Sequence, residues 1–336
     1  MTGSEGAVIM RGSSRFVRSL CVVTVAVCAG CSAGQSMQPG STVPSISSMA
    51  ERAARAQVLM GVPQPAHRGG GWLSPAAKSG KGLIYVSDFS ANAVEIYPAV
   101  GSNPAPIGAI TDGLSGPEGN FVDRDGNLFV SNVTNYTVTM YPKGSTTWKL
   151  RYTGLTYPTN VTVGKNGVVY IVDLVGDKVV EYRKGSTRSL RTIVVKDPQG
   201  VALDAHNNLY VSYDDSSGGQ VNEYAPGSTM GTNLGISLQF AGGDATDGSN
   251  DLLAADQSAP AVFVYPPGSN TPSQTINQSL EDPFRIAINR TFKKLYVADP
   301  EANALFVYDY PSGTLVNTIT NGLKSVYGVA VTTEGN

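Results

Sequence analysis

Short apolar runs recur along most of this chain. Leu83-Ile84-Tyr85-Val86-Ser87-Asp88 is followed by Val94-Glu95-Ile96-Tyr97-Pro98, and the pair returns, altered, five more times before the C-terminus. The third position of the first run reads Tyr85, Phe129, Tyr170, Tyr210, Leu253 and Tyr296. The tyrosine position of the second reads Tyr97, Tyr141, Tyr182, Tyr224, Tyr265 and Tyr308, and successive members lie 40 to 44 residues apart. Each unit also carries a preceding segment, best seen as Pro198-Gln199-Gly200-Val201-Ala202-Leu203-Asp204, and a less regular following one. The following ones are Pro106–Thr111, Trp148–Thr153, Ser189–Val194, Ile236–Phe240, Ser273–Asn277 and Leu315–Thr320. Turn sequences such as Asp125-Gly126-Asn127 and Asn166-Gly167 separate the first two segments, and Lys143-Gly144-Ser145 or a relative follows the third. Alternating apolar positions bounded by such turns predict strands.

Four short strands per unit of this length make one blade of a β-propeller. The predicted fold is all-β: a single six-bladed ring over residues 72–336, entered at Trp72-Leu73-Ser74-Pro75. The first unit lacks a Pro-x-Gly strand ahead of Leu83, and the last ends with a spare one, Val326-Tyr327-Gly328-Val329-Ala330-Val331. Placed innermost beside Ile84, that strand would close the ring from the C-terminus and remove the open edges of a linear array.

The units resemble the NHL repeat, whose pattern is matched by Pro198 to Asp204 and by Leu295-Tyr296-Val297-Ala298-Asp299. The resemblance covers about residues 83–332 and implies the propeller fold. Propellers of this kind include binding modules and several unrelated enzymes, so it does not select an activity.

The first strand of each blade should line the central channel, with its N-terminal end at the channel mouth. Aligned across the units, the position after the Pro holds Glu118, Thr159, Gln199, Gly242, Phe284 and Tyr327. The next holds Gly119, Asn160, Gly200, Gly243, Arg285 and Gly328; the next holds Asn120 and Asp244 among Val161, Val201, Ile286 and Val329. A polar residue on an inner strand needs hydrogen-bond partners or water. Glu118, Asn120, Asn160, Asp244 and Arg285 depart from the repeat's own pattern. They are read either as a polar binding site at the mouth, walled by Tyr327 and Phe284, or as the lining of a water-filled channel. Resemblance to gluconolactonase-like propellers, which hold one divalent metal with a Glu, an Asn and an Asp, implies calcium on Glu118, Asn160 and Asp244; these are oxygen donors of the right type. The acids or amides ending the second strand, Asp88, Asn132, Asp173, Asp256 and Asp299, are expected to accept N–H groups of the following turn. Asp123-Arg124-Asp125-Gly126-Asn127 is read as a hairpin turn, and the third-strand tyrosines as packing between blades.

The three cysteines, Cys21, Cys28 and Cys31, all lie in the first 31 residues, so the repeats have neither a disulfide framework nor a thiol nucleophile. With only His67 and His206, a zinc site of three histidines is excluded. Arg11, Arg15 and Arg18 precede the uncharged run Leu20 to Ala29, which fits a signal-peptide core and is too short for an ordinary membrane span. A chain starting at Met10 instead of Met1 has the cleaner basic region, without Glu5. Cys28-Ala29-Gly30-Cys31 resembles the bacterial lipobox, which implies cleavage and lipid modification at Cys31; the alternative is an ordinary secretory signal cleaved near Ala29 or Ala33. Ser32, standing where a retention signal would have Asp, favours the outer membrane by the same resemblance if the organism has one. Residues 32–71 read as a flexible tether, with a short helix over Met49 to Met60 capped by Ser48. Without residues 1–30 the chain holds 21 basic and 25 acidic residues, and nothing in it forms a nucleic-acid footprint.

Two functions follow as expectations. One is a monomeric, exported, lipid-anchored propeller of the cell envelope that binds a protein or small molecule and needs no cofactor. The other is a calcium-type hydrolase or lactonase using Glu118, Asn160 and Asp244, with Arg285 holding an anionic group.

Overall fold

The computed structural model describes residues 70–79 and 82–332. The expected signal peptide, lipobox, tether and helix over Met49 to Met60 lie outside those residues. Among the described residues the strands form six antiparallel sheets. Blade 2 is β5 (Pro117–Val122), β6 (Leu128–Asn132), β7 (Thr137–Tyr141) and β8 (Leu150–Tyr152). Blade 3 is β9 (Pro158–Val163), β10 (Val169–Asp173), β11 (Lys178–Tyr182) and β12 (Ser189–Val194). Blade 4 is β13 (Pro198–Leu203), β14 (Leu209–Asp215), β15 (Gly218–Tyr224) and β16 (Thr232–Leu238); blade 5 is β17 (Ala241–Thr246), β18 (Leu252–Asp256), β19 (Ala261–Tyr265) and β20 (Gln274–Ile276). Blade 6 is β21 (Arg285–Ile288), β22 (Lys294–Asp299), β23 (Ala304–Asp309) and β24 (Thr314–Ile319).

Blade 1 draws on both ends of the chain. β2 (Leu83–Asp88), β3 (Ala93–Pro98) and β4 (Gly108–Ile110) come from the N-terminal side, and β25 (Val326–Val331) supplies the innermost strand. Ile84 pairs with Val331, Tyr85 with Ala330 and Val86 with Val329, so the predicted closure is present. A fifth strand that the repeat pattern does not contain, β1 (Trp72–Leu73), pairs with the outer edge of β4, Trp72 opposite Ala109 and Leu73 opposite Gly108. It leads into the short helix α1 (Pro75–Ser79), whose Ala77 N–H is capped by Ser74 Oγ at 3.1 Å. Ala77 is buried against the core between blades 1 and 2.

The second strands read as almost continuous apolar runs because each is covered on both faces by neighbouring blades. All six residues of β2 are buried. The outer strands need only one apolar face, and β12 buries Ile193 between exposed Thr192 and Val194. One apolar cluster sits at each blade interface. That between blades 6 and 1 joins Tyr296, Leu305 and Val307 to Ile84, Val86, Tyr97 and Val329. The third-strand tyrosines pack against the preceding blade as expected, and three anchor the incoming crossover by their hydroxyls: Tyr97 donates to Asn321 O, Tyr141 to Asp112 O and Tyr308 to Gln278 O.

The recurrent acids hold the same crossovers. Asp88 accepts from Ala91 N–H in the following turn and from Lys324 N–H at 2.7 Å in the segment entering its own blade. Asp173 accepts from Thr156 and Tyr157 N–H, Asp256 from Gln239 and Phe240, and Asp299 from Glu281 and Asp282. Their role is structural and wider than expected: each ties a blade-to-blade connection, and Asp88, Asp256 and Asp299 hold the following turn as well. Blade 4 has Tyr213 at this position.

A chain ending at Lys324 loses the buried Val326, Val329 and Ala330 and leaves β2 with a free edge. It is expected to lose at least about 3 kcal/mol of stability for the two valines alone. A thermal melt should show the whole transition displaced; an unchanged melting temperature would refute closure by β25.

Candidate functional site

The inner strands β5, β9, β13, β17, β21 and β25 converge on the ring axis. Near their N-terminal ends the approach is so close that three neighbouring pairs leave no room for a Cβ. A methyl group at Gly328 would overlap the Glu118 carbonyl oxygen, one at Gly119 would stand 2.5 Å from Thr159 O, and one at Gly200 would stand 2.6 Å from Asp244 Oδ2. In this column only Asn160 and Arg285 carry side chains.

Arg285 is 3% exposed and donates from Nη2 to Glu118 Oε1 at 3.0 Å. The pair joins blade 6 to blade 2 past the inner strand of blade 1. Arg285 also donates from Nη1 to Phe284 O at 3.2 Å, and its guanidinium lies 4.0 Å from the centre of the Phe284 ring. Burial pushes the Glu118 carboxyl up, to about 7, while the Arg285 charge pulls against that rise. An aromatic lid closes this end of the ring. Phe89 and Phe284 flank Tyr327 with ring centroids at 5.0 and 5.3 Å, and Phe89 packs on Val133 and Tyr157.

The other predicted residues lie deeper. Asn120 donates from Nδ2 to Tyr85 O at 3.3 Å, and its buried Oδ1 has no partner. Asn160 Oδ1 accepts from Val161 N–H at 2.8 Å. Asp244 Oδ2 accepts from Ser212 N–H at 3.1 Å, while its Oδ1 is buried without a partner. Burial is the main reason that the Asp244 carboxyl is pushed up, to about 7.

The expected mouth is therefore the closed end. Bulky residues from the second-to-third-strand turns and the crossovers cover the N-terminal ends of the inner strands. A cavity of about 500 Å³ begins at Asn120, Asn160, Asp244 and Arg285 and runs to the opposite end of those strands, where exposed Arg124, Lys165 and Arg290 stand. Its walls are apolar, among them Phe121, Val163, Val201, Ile288 and Val331. The structure brings four of the six predicted residues together as the floor of this cup. Glu118 and Tyr327 lie on the lid side and do not line it.

The floor does not fit the calcium set implied by resemblance. The Arg285 cation already occupies Glu118 Oε1, and Asn160 Oδ1 is turned to its own strand.

Reading the inner-strand columns alone missed the rim. Each inner strand of blades 2 to 6 ends in a turn closed by a pair of backbone hydrogen bonds, such as Gly126 N–H to Asp123 O and Asp123 N–H to Asn127 O, so Asp123-Arg124-Asp125-Gly126-Asn127 is the expected hairpin turn. Aligned across blades, the second turn position reads Arg124, Lys165, Ala205, Gly248 and Arg290. The fourth reads Gly126, Gly167, Asn207, Asn250 and Phe292, all with positive φ. Extending the alignment by one turn would have found both columns.

No protein-family model matches the chain, and no curated protein matches it. Solved structures do. A chain from the crystal structure of a nidogen/laminin complex superposes with a TM-score of 0.61 at 16% identity, over 74% of this chain and 97% of that one. Selenomethionine-substituted virginiamycin B lyase from Staphylococcus aureus gives 0.54 at 12% identity, over 76% and 84%. A catalytically inactive form of the same lyase with quinupristin gives 0.52 at 12% identity, over 74% and 83%. What they share with this chain is the propeller ring.

Two consequences are measurable. Gly328→Ala should destabilise the protein by about 1–3 kcal/mol, since the inner strand must move off Glu118; denaturant melts that match wild type would contradict the packing. For Asp244 the folded carboxyl binds its proton more tightly than the ordinary value of 3.8. Its contribution to stability is therefore present at low pH and is lost as pH rises from about 4 through about 7. Asp244→Asn should gain stability relative to wild type across that window, and a difference in melting temperature that does not vary with pH would contradict the assignment.

Proposed function

We propose that this chain is an exported, lipid-anchored propeller that binds a small molecule in the cup on its ring axis and does not turn it over. The cup carries the reading: its volume of about 500 Å³ and apolar walls over a few convergent polar groups are those of a ligand pocket. The candidate nucleophiles in it support binding without catalysis. Lys165 Nζ donates to Ala205 O and Thr246 Oγ1 to Leu203 O. His206 lies on an exposed turn with its side chain 73% accessible, and it does not line the cup. Among the fold neighbours, one was crystallised in a nidogen/laminin complex and one with quinupristin, so rings of this shape serve in both protein and small-molecule recognition.

Anchoring rests on the basic segment Arg11 to Arg18, the apolar run Leu20 to Ala29 and the lipobox-like Cys31. Stable attachment needs more than one acyl chain. Cys31→Ala should move the protein from the membrane fraction to the soluble fraction and abolish labelling by radioactive palmitate. Labelling that survives the substitution would remove Cys31 as the anchor.

Binding is tested by equilibrium dialysis of the folded propeller against an extract of its native envelope, read by mass spectrometry. Thr246→Trp, which fills the cup from its half-buried wall, is the control. Wild type should concentrate at least one small molecule that the variant does not. Equal profiles for the two proteins would overturn the reading.

A further inference from the structure

The rim of the cup is chemically uneven. Arg124, Lys165 and Arg290 occupy the same turn position on blades 2, 3 and 6, and all three line the cavity and are exposed. Among the described residues neither Arg124 nor Arg290 has a hydrogen-bond or ion-pair partner for its side chain. The two stand close enough to repel: after burial, Arg124 is the largest influence holding Arg290 below its ordinary value, while Asp123 and Asp125 of the Arg124 turn act the other way. Asp123 already accepts from Asp125 and Asn127 N–H, and Asp125 is paired with Lys184. The acids on the far side of the rim are already hydrogen-bonded. Asp204 accepts from His206 and Asn208 N–H, and Asp247 from Ser249 and Asp251 N–H and from Tyr310 Oη. The mouth thus offers guanidinium donors and keeps its carboxylates occupied.

Phe292 marks the same mouth. It stands at φ 54° where the equivalent turns use glycine or asparagine, the residues that tolerate that conformation. It is 38% exposed and lines the cup, and its ring leans over Gly248 of blade 5, where an added methyl would meet Cδ2 at 2.8 Å. A bulky side chain held in a strained turn at the edge of a cavity is the kind of local penalty that binding sites retain. At the other end of the cup, Asp244 Oδ1 and Asn120 Oδ1 are buried acceptors with no donor. Gly248 lies four positions beyond Asp244, at most about 13 Å along the wall.

We infer that the cup is built for an acid-bearing organic molecule: its carboxylate or phosphate sits on Arg124 and Arg290, its apolar body lies between the valine and isoleucine walls and the Phe292 ring, and a hydrogen-bond donor at its far end reaches Asp244 and Asn120. This rests on the reading of the cup as a binding site and adds the chemistry of its occupant. Guanidinium groups suit such acids because two parallel N–H donors match two acid oxygens.

Three probes of one length separate the contributions: octanoate, octylamine and ω-aminooctanoate, titrated calorimetrically at low and high salt. The inference expects ω-aminooctanoate to bind best, octanoate next and octylamine least, with the two acids weakened by salt. Arg124→Ala and Arg290→Ala, both at exposed positions, should each weaken the acids by about tenfold and leave octylamine unchanged. Phe292→Asn should weaken all three while leaving the melting temperature equal or higher, because it relieves the turn. Octylamine binding as well as octanoate, indifference to both arginines, or no binding by any probe would each overturn the inference. If all three bind alike and Thr246→Trp abolishes all three, the cup is a binding site and only its assigned chemistry falls.

Discussion

The closeness of the inner strands at one end of the ring governs the molecule. Where Gly119, Gly200 and Gly328 abut the backbone or side chains of the next blade, no Cβ fits. Six strands drawn that near to one axis leave no open passage, and the side chains that do enter, Arg285 and Asn160, are buried by necessity. A guanidinium in that position must be hydrogen-bonded and paired, since removing an ion from water carries a large desolvation penalty. Glu118 supplies the pairing across blade 1. The narrow end becomes a sealed partition, and the strands' splay toward their other ends produces the cup.

The partition also distributes mechanical roles. The carboxylates of Asp88, Asp173, Asp256 and Asp299 and the hydroxyls of Tyr97, Tyr141 and Tyr308 all hold crossovers, the only covalent links between blades. The first-to-second-strand turns hold no crossover, and they touch one another instead, as Lys165 Nζ does Ala205 O and the Phe292 ring does Gly248. Arg124, Lys165, Arg290 and Phe292 occur on these turns.

Much of the fold was legible because a blade buries both faces of its second strand, which forces runs such as Leu83 to Val86 to repeat at a fixed period. Closure was legible because Val326 to Val331 had no partners of its own within the last unit. The added strand Trp72–Leu73 was not, since two residues have no period. For the site, departures from the repeat located Glu118, Asn120, Asn160, Asp244 and Arg285 on the axis, but alternation says which face a residue points to and nothing about which end of a channel is open. That depends on Phe89, Val133 and Tyr157, lid residues in turns and crossovers where no pattern is enforced. Donor types are likewise visible in a sequence, while the cation paired with Glu118 comes from a strand 167 positions away.

The pairing of β25 with β2 has a consequence for the order of events in the cell. Leu83 and Thr332 meet across 249 positions, so the first blade made is the last one completed. While the chain is still emerging, five blades have all their strands and the first waits with the β2 edge open. Until the final strand arrives, the blade 6 to blade 1 core and the partition between Arg285 and Glu118 have no support from Val329 and Gly328. A propeller built this way stays open until β25 is available, and long-range closure of this kind is slow. The chain's own topology thus makes the rigid state wait for its most distant pair of strands to meet.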